Sequence, residues 1–350
     1  MANFPNTIPP KGVLHPFLQT GAIASLPDGS LLIGWGRYQK SVQPLNEGVS
    51  FFVSDYFLRR KKPWISFEGN ALLSPTELEH LLEDQTHPTA FTWSNPFKSW
   101  FLTSFSALQR KFSEGVLQKA VPYIFETSSS TVDSAQLHYS LKIALRHLKV
   151  APFYLYGCWD ATEGVLGLTP EYLFKQEENG LHTMALAGTG TPQNVWNNKN
   201  LNEHNIVITG IKNALVPFGS VNIEATRQID YPLFSHLATP ISLENLPAFE
   251  KAVKALHPTP ALGAFPPVMG RKWLKAYNCH LPRFYYGAPW GVAYKGKGIC
   301  YVAIRNMQWS QAGTFIAAGC GVVPESNPEA EWEEILVKLR SIKKGLGLEG

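Results

Sequence analysis

Ala317-Ala-Gly-Cys-Gly-Val-Val-Pro-Glu-Ser-Asn-Pro-Glu-Ala-Glu-Trp-Glu-Glu-Ile-Leu-Val-Lys-Leu339 joins an apolar, glycine-punctuated strand to a helix with a sharp start. Asn327 can cap that helix, and Pro328 stands in its first turn, where a missing N–H costs nothing. At about 100° per residue, Glu331, Glu334 and Lys338 fall within roughly 60° of one another, beside a stripe of Trp332, Ile335, Leu336 and Leu339. Two carboxylates one turn apart repel by roughly 0.3 kcal/mol even in water. The pair reads either as a solvated acidic face or as oxygen ligands for a divalent cation.

Working outward, residues 286–293, 298–308 and 313–323 read as three successive strands of a meander. Near the start, 22–26 and 30–35 form a hairpin around Asp28-Gly29, and 48–53 and 55–58 are further strands. Ser74-Pro-Thr-Glu77 has the form of a capping box opening a helix through Leu82. Residues 84–98, rich in Thr, Pro and Asn, form a loop and the best internal boundary. There follow a helix over 100–114, a buried strand over 115–126, an amphipathic helix over 133–148 and paired strands over 153–159 and 164–168. A short helical turn after Pro170 leads to a strand from His182, and helices cover 203–215 and 246–256. Strands come in adjacent runs and not in βαβ alternation, which predicts an α+β layered fold with antiparallel sheets. Gly188-Thr-Gly190 follows a strand but opens no helix of the kind a dinucleotide site needs.

The 350 residues, 45% hydrophobic and 12% aromatic, describe a globular chain with a substantial core. A net charge of +4 is small for this length, and the basic run Arg59-Arg-Lys-Lys62 has no interleaved aromatics, which argues against a nucleic-acid surface. Cys158, Cys279, Cys300 and Cys320 lie in apolar or aromatic contexts without C-x-x-C spacing, arguing against zinc and for a reducing compartment. Met1-Ala-Asn-Phe-Pro-Asn6 lacks the basic and apolar runs of a secretion signal, and no window approaches the roughly 18 apolar residues of a membrane span. The expectation is a cytoplasmic monomer with neither a membrane nor a nucleic-acid partner.

Seven segments are individually modest: Gly167-Leu-Thr-Pro-Glu-Tyr-Leu173, Ala185-Leu-Ala-Gly-Thr189, Glu203-His204, His236-Leu-Ala-Thr-Pro240, His257-Pro-Thr-Pro-Ala-Leu-Gly263, Tyr301-Val-Ala-Ile-Arg305, and Gly319-Cys-Gly-Val-Val running on to Glu331-Trp-Glu-Glu334. Their joint order and spacing resemble the chorismate-utilising enzymes: isochorismate and salicylate synthases, and the large subunits of anthranilate and aminodeoxychorismate synthases. The resemblance covers residues 98–345, and 1–95 correspond to that family's variable part, so that 1–350 make one chorismate-binding domain. It implies large antiparallel sheets packed together with helices outside, and an active site between the sheets holding Mg2+. The implied chemistry is displacement on the chorismate ring, in which a nucleophile adds at C2 and the C4 hydroxyl leaves.

The resemblance makes Glu171 the general acid toward the departing hydroxyl, a role that a raised pKa suits. It makes Lys119 the general base toward water, on a strand whose apolar neighbours would free its lone pair. Taken alone, each has a plainer reading, a first-turn helix Glu facing the dipole and an edge-strand lysine in solvent. Glu203, Glu331 and Glu334 become the Mg2+ shell, directly or through water, completed by the substrate's ring carboxylate, with His204 packed behind. Arg305, costly to bury without an anion, meets a chorismate carboxylate with its planar fork, aided by Lys338 and the N–H groups around Gly319 and Gly321. Tyr286 stands near the enolpyruvyl group, Ala187, Gly188 and Thr189 contact substrate, and His236 and Thr239 line the ring side. Three positions depart from the family pattern: Ile124 replaces an Arg five residues after the lysine, Asn200 replaces the acid after Lys199, and Ala288 replaces a glycine.

Ammonia-using members carry Gln at the Lys119 position, and aminodeoxychorismate synthases carry Lys in place of Ala187. Lys119 with Ala187-Gly-Thr189 therefore points to a Mg2+-dependent isochorismate synthase for menaquinone or siderophore biosynthesis, acting without a glutaminase subunit. The alternatives are an ammonia-using aminodeoxychorismate or anthranilate synthase component, and a catalytically degenerate chorismate binder.

Overall fold

A computed structural model describes residues 12–82, 88–294 and 297–349. The first part of the chain gives α1 (Leu14–Gln19), β1 (Gly21–Ser25), β2 (Leu31–Ser41), β3 (Val49–Val53), β4 (Trp64–Leu73), α2 (Pro75–Leu81) and α3 (Lys98–Ser113). Next come β5 (Lys119–Ala120), β6 (Tyr123–Ser128), α4 (Ser134–Leu148), β7 (Tyr154–Trp159), β8 (Gly164–Thr169), β9 (Tyr172–Glu177), β10 (Gly180–Gly190) and α5 (Asn198–Leu215). They are followed by β11 (Val221–Ile223), β12 (Arg227–Tyr231), β13 (Phe234–Leu243), α6 (Phe249–Leu256), β14 (Ala264–Phe265) and α7 (Pro267–His280). The chain ends with β15 (Pro289–Tyr294), β16 (Lys297–Val302), β17 (Asn306–Ser310), β18 (Gly313–Gly319) and α8 (Pro328–Leu346).

The α+β, antiparallel architecture is as expected, but the sheets are joined. Sixteen strands form one hydrogen-bonded sheet, in the order β11-β13-β10-β9-β16-β15-β3-β4-β2-β1-β7-β8-β17-β18-β6 with β12 also on β13, while β5 and β14 form a separate ribbon. Strands β1 to β4 sit in the middle of that order, so the N-terminal segment is integral to the sheet.

Two short crossings position the site. Seven strands stand between β8 and β9 in the sheet, yet only Pro170 and Glu171 join them in the chain. Seven also stand between β16 and β17, joined by Ala303 to Arg305. The sheet must therefore curl back on itself, and the crossings lie side by side. Thr169 Oγ1 donates to Val302 O at 2.9 Å, and Val302 N and Leu168 N donate to Glu171 O and Arg305 O, each at 3.1 Å.

Local signals explain much of the element pattern. Gly29 (φ 85°) supplies the positive φ of the β1–β2 turn, which pairs Ser25 with Leu31. The capping box at Ser74 and Glu77 forms as anticipated. Asn327 accepts from Glu329 N at 3.0 Å and Ala330 N at 3.1 Å, and α8 stops at left-handed Gly347. Helices α3, α4 and α8 bury Phe101, Leu108, Leu141, Leu145, Ile335 and Leu339 in the main core, about 2 kcal/mol each.

Several expectations are corrected. Residues 115–126 are not one strand, because Pro122 offers no N–H to a ladder and parts β5 from β6. Residues 298–308 are likewise two strands, parted at Arg305, whose φ is 53°. The segment after Pro170 is strand β9 and not a helical turn. Residues 55–58 form a turn, because Asp55 accepts from Phe57 N at 2.8 Å and Arg59 N at 2.9 Å. Strands β4 and β11 to β13 and helix α7 had no anticipated counterpart, and Cys279 is exposed. No described helix is long and apolar enough to cross a membrane. The loop over 84–98 has no helix or strand from 88 to 97, and its start, like Met1-Ala-Asn-Phe-Pro-Asn6, lies outside the described residues.

Candidate active site

Where the crossings meet α5 and α8, a cleft with about 610 Å³ of empty space opens. Its walls include Glu171, Ala187, Gly188, Thr189, Glu203, His236, Tyr286, Arg305, Gly319, Gly321, Glu334 and Lys338. Lys119, Thr239 and Glu331 stand behind these walls. Thr239 faces away from the cleft, with Oγ1 2.7 Å from both His204 Nε2 and Thr226 Oγ1. It supports the wall and does not line the ring.

Glu171 is 5% exposed at the first crossing. Burial pushes its pKa up to about 8, against the pull of Lys119 and Lys338, so the carboxyl holds its proton at neutral pH. The raised value comes from burial and not from neighbouring acids.

Arg305 is buried at the second crossing. Nη1 donates to Ser341 Oγ at 2.7 Å, and the guanidinium lies 4.0 Å from the centre of the Phe234 ring. Burial lowers its pKa to about 10, which leaves it charged. Among the described residues no carboxylate forms an ion pair with it. A buried cation facing a cleft without an ion-paired carboxylate has the chemistry to receive an anion.

Lys119 is fully buried, but its surroundings are not purely apolar, because Nζ stands 3.0 Å from Glu203 Oε1. The other oxygen, Glu203 Oε2, is 3.1 Å from Lys199 Nζ, which also lies 2.7 Å from Glu331 Oε1. Burial opposes the charge on Glu203, but Lys119 and Lys199 outweigh it and hold the carboxylate well below its ordinary pKa. Glu331 behaves oppositely. Burial and the nearby Glu334 push it up to about 7 despite Lys199, and Ser326 Oγ donates to Oε1 at 2.7 Å. Lys338 Nζ donates to Glu334 Oε1 at 2.6 Å and to the carbonyl of Gly319 at 2.9 Å. The two α8 carboxylates thus each have a cation, one of them supplied by α5.

Glycines allow this crowding. A Cβ on Gly321 would stand 1.9 Å from Glu203 Oε1, and Gly188 (φ 76°) forms the bulge that turns the end of β10 toward α5. Asn200, at the position of the missing acid, donates to Thr189 O at 3.1 Å and Val195 O at 3.0 Å, which an Asp could not do. Desolvation keeps His236 neutral, with Nδ1 3.3 Å from Thr189 Oγ1.

Glu203, Glu331 and Glu334 converge, but among the described residues no three His, Cys, Asp or Glu side chains stand at the spacing of one metal shell. Lys199 stands between Glu203 and Glu331 instead. The donor chemistry still suits Mg2+: it is all oxygen, and Glu331 Oε2 is buried with no partner.

Residues 130–347, more than half of the chain, match the family model described as "Chorismate binding enzyme". The chain belongs to this family. As a chorismate-binding enzyme family member it is 30% identical to the "Salicylate biosynthesis isochorismate synthase" of Pseudomonas aeruginosa over 225 residues, 59% of this chain and 47% of that one. It is also 30% identical to the "Isochorismate synthase MenF" of Bacillus subtilis over 211 residues, 55% of this chain and 45% of that one. The chain thus spans about half the length of these curated relatives. The structure of MenF, the menaquinone-specific isochorismate synthase of Escherichia coli, superposes with a TM-score of 0.77 at 18% identity, covering 95% of this chain and 90% of that one, which establishes the fold.

Lys199, Ser341 and Phe234 escaped the sequence reading as site residues. Only Lys199 carried a usable signal, its i,i+4 spacing to Glu203 on one helix face.

Proposed function

We propose that this chorismate-binding family member is an isochorismate synthase. The observation that carries the reading is that Glu171, protonated at neutral pH at the cleft wall, and Lys119, buried behind Gly321, stand at one cleft, near enough for the lysine to act on the carboxyl. Amine-adding members lack that lysine. Chorismate enters with one carboxylate on Arg305 and the other toward Lys338 and the α8 carboxylates. Lys119 is the base toward the water that adds at C2. Glu171 gives its proton to the C4 oxygen, which leaves as water, and the ring double bonds shift between the two carbons. Substrate and product are isomers, and the two side chains return to their starting states by exchanging one proton through solvent.

Glu203, Glu331 and Glu334 are the residues that would hold Mg2+, with Lys199 displaced. The ion supplies positive charge for the ring carboxylate. Glu203, Glu331 and Glu334 put negative charge where the ring carboxylate would lie, so a dianionic substrate profits from the divalent ion.

The test is incubation with chorismate and Mg2+, with and without ammonium, and chromatography of the products. Isochorismate without ammonium is expected, whereas product only with ammonium would make this an amine-adding enzyme. Lys119→Ala should abolish water addition while chorismate binding stays within a few-fold of wild type. Normal turnover in that variant would remove Lys119 from the mechanism.

A further inference from the structure

Two lysines contact Glu203, and they differ in freedom. The Lys119 side chain is 0% exposed and cannot leave its place under Gly321, whereas that of Lys199 is 19% exposed, on the first turn of α5. The Lys199 ammonium bridges Glu203 and Glu331 at 3.1 and 2.7 Å, and Glu334 acts on it as well. It therefore stands where the field of all three carboxylates favours a cation, directly between Glu203 and Glu331. Glu331 Oε2, 3% exposed at the residue level and without a partner, remains as an unused acceptor beside it.

We propose that Lys199 is a tethered competitor of the divalent cation, so that metal binding at this site is an exchange of one side-chain ammonium for one divalent ion. The proposal rests on the Mg2+-dependent reading above and deepens it. While the ion is absent, the lysine keeps the three carboxylates from repelling one another and holds α5 against α8. When the ion binds, the flexible four-carbon stem swings toward solvent and the site gains one net positive charge. A dianionic substrate then meets a more positive pocket, so metal and substrate each strengthen the other's binding by the same factor. Lys119 keeps its hold on Glu203 throughout, which confines the exchange to the one lysine that can move.

Two measurements on the whole protein test this. In the first, amine-directed acetylation is read residue by residue by mass spectrometry, with and without Mg2+. Labelling of Lys199 should rise several-fold when Mg2+ is added, while Lys119 stays protected in both states. Equal protection of Lys199 with and without the ion would overturn the proposal. In the second, calorimetric titration with Mg2+ alone compares wild type with Lys199→Met. The variant should bind about tenfold more tightly, and equal or weaker binding would show that Lys199 supports the ligands and does not compete with the ion. Binding of Mg2+ by neither protein, with or without chorismate, would remove the metal reading itself and the exchange with it. The labelling arm uses unaltered protein, so it decides the matter even if the variant folds poorly.

Discussion

Gly321 and Glu203 share a space that fits only one of them: a Cβ on the glycine would lie 1.9 Å from the carboxylate oxygen that Lys119 holds. Gly321→Ala must push Glu203 from its place beside Lys119, and the same Cβ would stand 3.0 Å from Lys119 Cε. The variant should lose about 3 kcal/mol of stability and nearly all turnover. Thermal denaturation and a chorismate assay would show this, and a fully active Gly321→Ala protein would mean that Glu203 need not stay where it is.

Glu171→Gln should be less active and more stable. The folded pKa of Glu171, about 8, lies above the ordinary 4.5, so its contribution is fully present below pH 4.5 and is lost as the pH rises through 8. Glutamine suffers no such loss. The variant should match wild type near pH 4 and exceed it by about 3 kcal/mol at pH 7, with turnover lower by roughly 10²- to 10⁴-fold. In wild type the rate should fall above pH 8 as the acid loses its proton. Denaturant titrations across pH check the first claim and a pH–rate profile the second.

Arg305→Ala should raise KM for chorismate about 100-fold, and Arg305→Lys about tenfold, since lysine keeps the charge but loses the planar fork and the face of Phe234. Ser341→Ala, which removes one bond to Nη1, should cost only about 1 kcal/mol. A KM unchanged in Arg305→Ala would place the substrate carboxylate elsewhere.

Asn200→Asp, which restores the acid usual in the family, should destabilise this chain by about 2 kcal/mol. A carboxylate there would face Thr189 O and Val195 O with no hydrogen to give. If the variant melts at the wild-type temperature, the end of β10 has another support.

How much of this was legible in the sequence depended on whether a residue's role is local. The caps of α8, the β1–β2 hairpin and the capping box were readable because they involve neighbours in the chain. The cleft residues from Glu171 to Lys338 were readable through motif spacing, although their contacts were not. Strand β9 was missed because Pro170 and Glu171 mimic a helix start, when they are in fact a crossing between distant strands. The break at Arg305 was hidden inside an apolar run whose composition changes little across it. The partnership of Lys199 with Glu331 joins positions far apart in the chain and set by packing, which no periodicity reports. Thr239 shows the opposite error, a residue inside a matched motif that serves the wall and not the cleft.

Glu171 and Arg305 lie on crossings that belong to neither end of the sheet. Their separation is fixed by backbone bonds, Val302 N to Glu171 O and Leu168 N to Arg305 O. Those bonds continue the β9–β16 and β8–β17 ladders, which pair Tyr172 with Tyr301 and Gly167 with Asn306, far apart in the chain. Such long-range pairing is slow, and the cleft is complete only when both ladders have formed. A partly folded chain offers no half-built site, and any ligand of the cleft stabilises the finished topology alone. A ligand of the cleft thus reports that both crossings are in place.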